Sequence, residues 1–522
     1  MSQTESMSQT DRYFERYGPA YKWFATGTIM VATISVVLST TIVNVAIPAV
    51  MGAFGISAVQ AQWISTGFLA AMTATMLLAD WANRAFGMRL TMIASMGVFL
   101  AGSVLGGLAP NESVLTLARV VQGAAAGIVQ PLAMIMLFKV FPPDKRGAAM
   151  GIYGVGVVLA PALGPWIGGV LMDAFDWRFV FYLGLPFAGL AIVLANVFLP
   201  TREESGPIPA FDFVGVAILA LFLAVLLSTL SNAQRLGWDT NAILSGFAIS
   251  AASAIAFIAW ELHTSKPMLD MRLFANFAFS SASLIAFIMG AGLFGSTYLL
   301  PVFVQQIQGM TPTQAGLLLM PSGFVMLLVF PIAGRLSDKV PAPIMIAIGM
   351  GIFAWSSWLM TGANVHTGFW MLALWTVLSR VGLGLVFPAI SSGALKVLPP
   401  HLIGQGSGAS NFIRQLGGAF GVNLLTVFIE RRTIMHADAF AATQTSDNST
   451  TMEFLREVAG LMHASGLPDT QIMPAASLFL GQVVVAQSST AAFQDAFLVV
   501  CGIFLIALIP TWFMWRAPSR GA

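Results

Sequence analysis

Three arginines stand deep inside apolar stretches of this chain: Arg119, Arg380 and Arg414. A cation in low-dielectric surroundings is costly and has to be held by an acid, by neutral acceptors or by an anionic ligand. Gln122, Gly123 and Gln130 fall on the helical face of Arg119, at i+3, i+4 and i+11. Ser407, Asn411 and Gly418 share the face of Arg414, with Gln415 beside it. Such groups recognise charge and shape; they do not make or break bonds. Either they grip an anionic head group through charge-assisted hydrogen bonds, or they are structural arginines held by carbonyls and amides. Thr40, Asn44, Gln62, Trp63 and Tyr298 are further polar or amphipathic positions in apolar surroundings. They line a cavity or make interhelical hydrogen bonds.

No carboxylate lies near the middle of any apolar run. Asp80, Asp173, Asp338 and Glu430 stand at run ends and are the groups expected to serve proton coupling. Asp80 and Asp338 also suit charge clusters that stabilise one conformer. His263, His366, His401, His436 and His463 lie in loops or near run ends. There is no G-x-x-x-x-G-K-[ST] loop for ATP. No H-E-x-x-H or clustered His/Cys set suggests a metal, and no G-x-S-x-G reads as a nucleophile. Neither a cofactor nor a metal is expected, and an intramembrane enzyme is disfavoured.

The elements that must carry these residues follow from composition. Of 522 residues, 57% are hydrophobic and only 9% are charged, against about 25% charged in a soluble domain. That is too little charge to solvate the surfaces of a soluble protein this long. A bilayer-spanning helix needs about 20 apolar residues. Fourteen runs qualify: 24–47, 61–80, 90–109, 114–138, 147–171, 178–199, 212–231, 243–262, 277–301, 313–333, 343–362, 368–392, 405–429 and 492–515. They lack the period-2 alternation of barrel strands, so an all-α integral membrane protein is expected. Sixteen lysines and arginines fall on the side of the termini and five on the other. This places both termini in the cytoplasm. Basic residues are scattered, without the clustered tract of a nucleic-acid binder.

The chain also matches itself at an offset of about 257 residues. GAAMGIYGVGVVLAPALGPWIGGVLMD (147–173) sits over GQGSGASNFIRQLGGAFGVNLLTVFIE (404–430). DWANRAFGMR (80–89) pairs with GRLSDKV (334–340), and LARVVQG (117–123) with LSRVGLG (378–384). Two similar halves predict a cavity at their interface and alternating access. In the fifth run Gly147, Gly151, Gly154, Pro161, Pro165 and Gly168 form one small-residue stripe, joined by Gly164 and Gly169. They predict a close, bendable helix seam that gates the cavity.

LSTTIVNVAIP (38–48), QWISTGF (62–68), RVVQG (119–123) and above all GVVLAPALGPWIGG (156–169) resemble motifs of the major facilitator superfamily. Within it they resemble the fourteen-span EmrB/QacA-like drug:proton antiporters. The resemblance implies the major facilitator fold, two six-helix pseudo-repeats with two extra helices between them. The implied division is a 1–23 cytoplasmic segment, a 24–199 bundle, a 200–276 two-helix insertion, a 277–515 bundle and a 516–522 tail. It also implies proton-driven export of lipophilic compounds across the cytoplasmic (inner) membrane. The absence of a central acid leans the cargo toward weak-acid amphiphiles such as fatty acids, the alternative being neutral and cationic drugs. The first-helix motif usually has an acid after its leucine; here that residue is Ser39. Residues 430–491, read as a long periplasmic loop, imply docking of a periplasmic membrane-fusion protein and through it an outer-membrane channel.

Overall fold

The computed structural model describes residues 8–202 and 208–516. Within its helices, the side chains at 44–45, 58–59, 62, 158–163, 165–166, 169, 173, 234–235 and 312 lie outside the described set. The chain is all-helical among the described residues. In the first half run α1 (Gln9–Tyr17), α2 (Tyr21–Phe54), α3 (Ala58–Met76), α4 (Ala79–Gly107), α5 (Glu112–Val140), α6 (Arg146–Ala174), α7 (Phe179–Tyr182) and α8 (Gly184–Phe198). Two helices follow, α9 (Phe213–Leu236) and α10 (Asn241–His263). The second half has α11 (Phe277–Gln306), α12 (Pro312–Ser337), α13 (Ala342–Met360), α14 (Phe369–Lys396), α15 (Ile403–Ala441), α16 (Ser449–Ala464), α17 (Asp469–Ile506) and α18 (Leu508–Arg516).

Twelve helices among the described residues are long and apolar enough to cross a membrane. The chain is a multi-pass membrane protein. Helices α3 and α6, which cover the second and fifth expected spans, are not among the twelve; both carry side chains outside the described set.

The repeat reappears in local structure. Both second helices open with a reciprocal capping box. Ser57 Oγ accepts from the Gln60 N–H while Gln60 accepts from the Ser57 N–H, and Thr311 and Gln314 do the same at α12. Such a box satisfies two amide donors that a helix start otherwise leaves open. The fourth helix of each half is central. Helix α5 packs against α2, α3 and α4, and α14 against α11, α12 and α13. Both arginines of the 117–123 and 378–384 motifs are thereby turned into their own bundles.

Residues 430–491, expected as a long loop with a short amphipathic helix over 454–466, are mostly helix. Helix α15 runs on to Ala441, α16 fills much of the gap, and α17 begins at Asp469. The correction has a simple cause. Charges such as Glu430 and Arg431 take exposed helical positions, so polarity here marks solvent and not loss of helix. A clasp joins the two extended helices: Arg432 and His436 of α15 both bind Asp495 Oδ2 of α17, at 2.5–2.6 Å and 2.8 Å. Phe454 of α16 stacks on Phe479 of α17 with ring centroids 6.2 Å apart.

Candidate substrate-binding core and its seal

Arg119 is 1% exposed and, among the described residues, makes three hydrogen bonds, none to an acid. Nη1 donates to Ser39 Oγ at 3.1 Å and to Gln122 Oε1 at 2.9 Å, and Nε donates to the Ile64 carbonyl at 3.3 Å. The guanidinium carbon lies 4.0 Å from the centre of the Phe68 ring, a cation–π contact. Gln122 in turn donates to Ser103 Oγ at 2.7 Å. Ser39, where the resembled motif carries an acid, is thus the first-helix partner of Arg119. The guanidinium is thus held by neutral acceptors and an aromatic ring.

Arg414 occupies the seam between the halves. Eleven residues into α15, it lies about 17 Å along the helix by the helical rise, close to mid-membrane. Its Nη2 donates to Asn411 Oδ1 at 2.8 Å and across the seam to Gln130 Oε1 of α5 at 3.2 Å. Asn411 Nδ2 donates to the Ser407 carbonyl at 3.0 Å and meets Met134 Sδ of the other half at 2.8 Å. Ser407 Oγ donates to the Pro131 carbonyl at 3.2 Å. Beneath the guanidinium, 5.6 Å from its carbon, is the Phe387 ring, which stacks on Tyr153 and meets Phe330 edge-on at 5.7 Å. Gln415 is buried beside it.

The ends of α6 and α15 that carry Gly147 and Gly404 are sealed across the halves. Asp338, at the C-cap of α12, accepts from the Gly147 and Ala148 N–H groups of α6 at 2.6 and 2.9 Å. A carboxylate on the positive end of a helix is favourable. Asp80 repeats the arrangement from the first half. It is 6% exposed, is salt-bridged to Arg84 at 2.6 Å, and lies hard against Gly404 at the start of α15. Next to Asp338, Gly151 meets Gly334 and the Phe330 carbonyl backbone to backbone, with 2.9 Å from an ideal Cβ on Gly151 to Gly334 Cα. Farther along α6, Gly164 and Gly168 pack instead on Thr41 and Ile42 of their own half.

The remaining expected positions are more scattered. Thr40 is half-buried and spends its hydroxyl on the Val36 carbonyl of its own helix. Trp63 is exposed and Tyr298 half-buried. Glu430 is exposed beyond the core on α15. Asn44, Gln62, Pro161, Pro165, Gly169 and Asp173 lie outside the described residues for their side chains. Reading the sequence missed Ser103, Phe68, Tyr153 and Thr297. The last was nearly within reach, because the offset of 257 carries Ser39 of α2 onto Ser296 of α11, the residue before Thr297.

Two helical bundles joined at a sealed face, with buried polar groups at their common seam, have the architecture of a membrane transporter. The family model described as Major Facilitator Superfamily matches residues 29–422, and the chain belongs to that superfamily. It is 33% identical over 436 residues to the uncharacterized MFS-type transporter YhcA of Bacillus subtilis, covering 83% of this chain and 82% of that protein. It is 30% identical over 488 residues to the multidrug export protein EmrB of Haemophilus influenzae, covering 93% and 94%. Among solved structures it resembles the human organic anion transporter MFSD10, with a TM-score of 0.61 at 14% identity, covering 94% of this chain and 99% of that one. That likeness bears on the fold.

Proposed function

We propose that this chain exports lipophilic and amphiphilic compounds across the cytoplasmic membrane, both termini cytoplasmic, with a preference for weak-acid amphiphiles. The likeness to EmrB supports drug efflux. The observation that carries the cargo preference is electrostatic: Arg119, Arg380 and Arg414 are buried, and none is ion-paired among the described residues. A carboxylate cargo replaces neutral acceptors at Arg414 with charge-assisted hydrogen bonds, while apolar side chains receive its tail. A quaternary ammonium finds no counter-charge there.

Export by alternating access then requires the sealed face to part. Protonation of Asp338 or Asp80 removes the negative charge that caps the opposing helix, which favours opening. This offers a route by which protons couple to transport without a mid-membrane acid. A weak-acid cargo also carries a proton of its own. The satisfied network of Arg119 favours a second reading, export of neutral and cationic drugs with the arginines purely structural.

Vesicle transport separates the two. Arg414→Ala is expected to lower dodecanoate transport at least about tenfold, the usual worth of a hydrogen bond to a charged group, and to spare dodecyltrimethylammonium. Preferred transport of the cation by wild type, or undiminished dodecanoate transport by the variant, contradicts the weak-acid reading.

The extended ends of α15 and α17 with α16 are the proposed docking surface for a periplasmic membrane-fusion protein, which would hand cargo to an outer-membrane channel. Removal of residues 443–467 is expected to abolish resistance in cells and to leave vesicle transport intact. Full resistance after the deletion rules the docking role out.

A further inference from the structure

The two halves treat their fourth-helix arginine differently. Arg119 and Arg380 are repeat mates, and each donates to a hydroxyl on the first helix of its half. Arg380 Nη2 reaches Thr297 Oγ1 at 2.7 Å, as Arg119 reaches Ser39. In the first half Gln122 then completes the guanidinium. The matching position in the second half is Leu383. Arg380 is only 6% exposed, and its Nη1 has no hydrogen-bond partner among the described residues. Thr297 is exposed, and half-buried Phe294 and Pro301 flank it on the same helical face.

A buried N–H of a charged group left unpaired costs free energy that an incoming acceptor recovers. Arginine presents its donors in a planar fork that fits a carboxylate. Thr297 Oγ1 itself donates to the Leu293 carbonyl at 2.6 Å, so it positions the guanidinium and leaves Nη1 as the free donor. We propose that Arg380, held by Thr297, forms a second anion site, which takes the carboxylate head of an amphiphile and lays its tail along Phe294 and Pro301. The site is separate from Arg414, although the choice of an amphiphilic carboxylate as its ligand rests on the weak-acid reading above.

The test is dodecanoate binding to the full-length protein in lipid nanodiscs, counted by calorimetry. Wild type is expected to bind two per chain. L383Q puts an amide where the first half has Gln122, so Arg380 is satisfied from within. One of the two sites should then weaken at least about tenfold, and R380A should remove it. L383Q keeps the arginine and its charge, so it decides the matter where R380A fails to fold. One site lost in R414A and the other in L383Q supports both readings. A single site that only R414A removes overturns this inference and leaves the weak-acid reading standing. A single site that only L383Q and R380A weaken supports this inference and overturns the Arg414 contact. No binding by wild type overturns both.

Discussion

Replacing Asp338 by alanine is expected to remove most transport while the protein still folds and inserts. The carboxylate accepts two amide hydrogen bonds from the opposite half at 2.6 and 2.9 Å. Hydrogen bonds to a charged group are worth about 1.5–3 kcal/mol each. Loss of the pair therefore shifts the balance between sealed and open conformers by more than about tenfold. The direction is toward opening of the face that carries Gly147. Asp338→Asn keeps an acceptor oxygen without the charge and should fall between alanine and wild type. The chain has a single cysteine, Cys501, so a cysteine placed at Ser337 in a Cys501→Ala background reports the seal. It should react with a water-soluble maleimide at least about tenfold faster when Asp338 is alanine. An unchanged labelling rate with normal transport would show that the contact does not hold the seal.

Gly151→Leu should be more severe, with transport at background. Any Cβ at this position runs into the Phe330 carbonyl, and Gly334 stands directly opposite. Both obstacles are backbone, so no rotamer change relieves them, and overpacking of this kind costs about 1–3 kcal/mol or more. The halves can avoid the clash only by parting, which traps the carrier with the seal open. Gly189→Leu is the control, because nothing lies within 4 Å of its would-be Cβ. It should transport like wild type. Equal activity of the two variants would mean that the glycine contact is dispensable.

The all-helical fold was legible because long apolar runs leave a membrane chain few choices. The repeat was legible because Gly147 and Gly404 each start a helix that the other half must approach closely. Arg119 and Arg414 were legible because isolated charge in an apolar run is rare and expensive. What those arginines touch was not. Arg119 binds Ser39, 80 positions away, and Arg414 binds Gln130 across 284 positions, and such pairings are decided by packing. Between 430 and 491 the amphipathic pattern over 454–466 marked α16, while the polar extensions of α15 and α17 carried no signal that hydropathy alone distinguishes from a loop. Asp80 and Asp338, at run ends, read either as proton carriers or as conformer-stabilising charges. The structure puts both against helix starts of the opposite half.

The clasp between α15 and α17 has a mechanical consequence. By the helical rise, a helix of 39 residues is about 58 Å long against a hydrocarbon layer of about 30 Å. Helices α15 and α17 therefore continue well past the membrane as one braced pair, pinned where Arg432 and His436 meet Asp495. A braced pair turns with the bundle that bears it. Its tip stands roughly 40 Å from mid-membrane, so a tilt of ~10° sweeps it through about 7 Å. The extension is a lever arm: it turns a small rotation around the cargo into a displacement large enough for a neighbouring protein to feel.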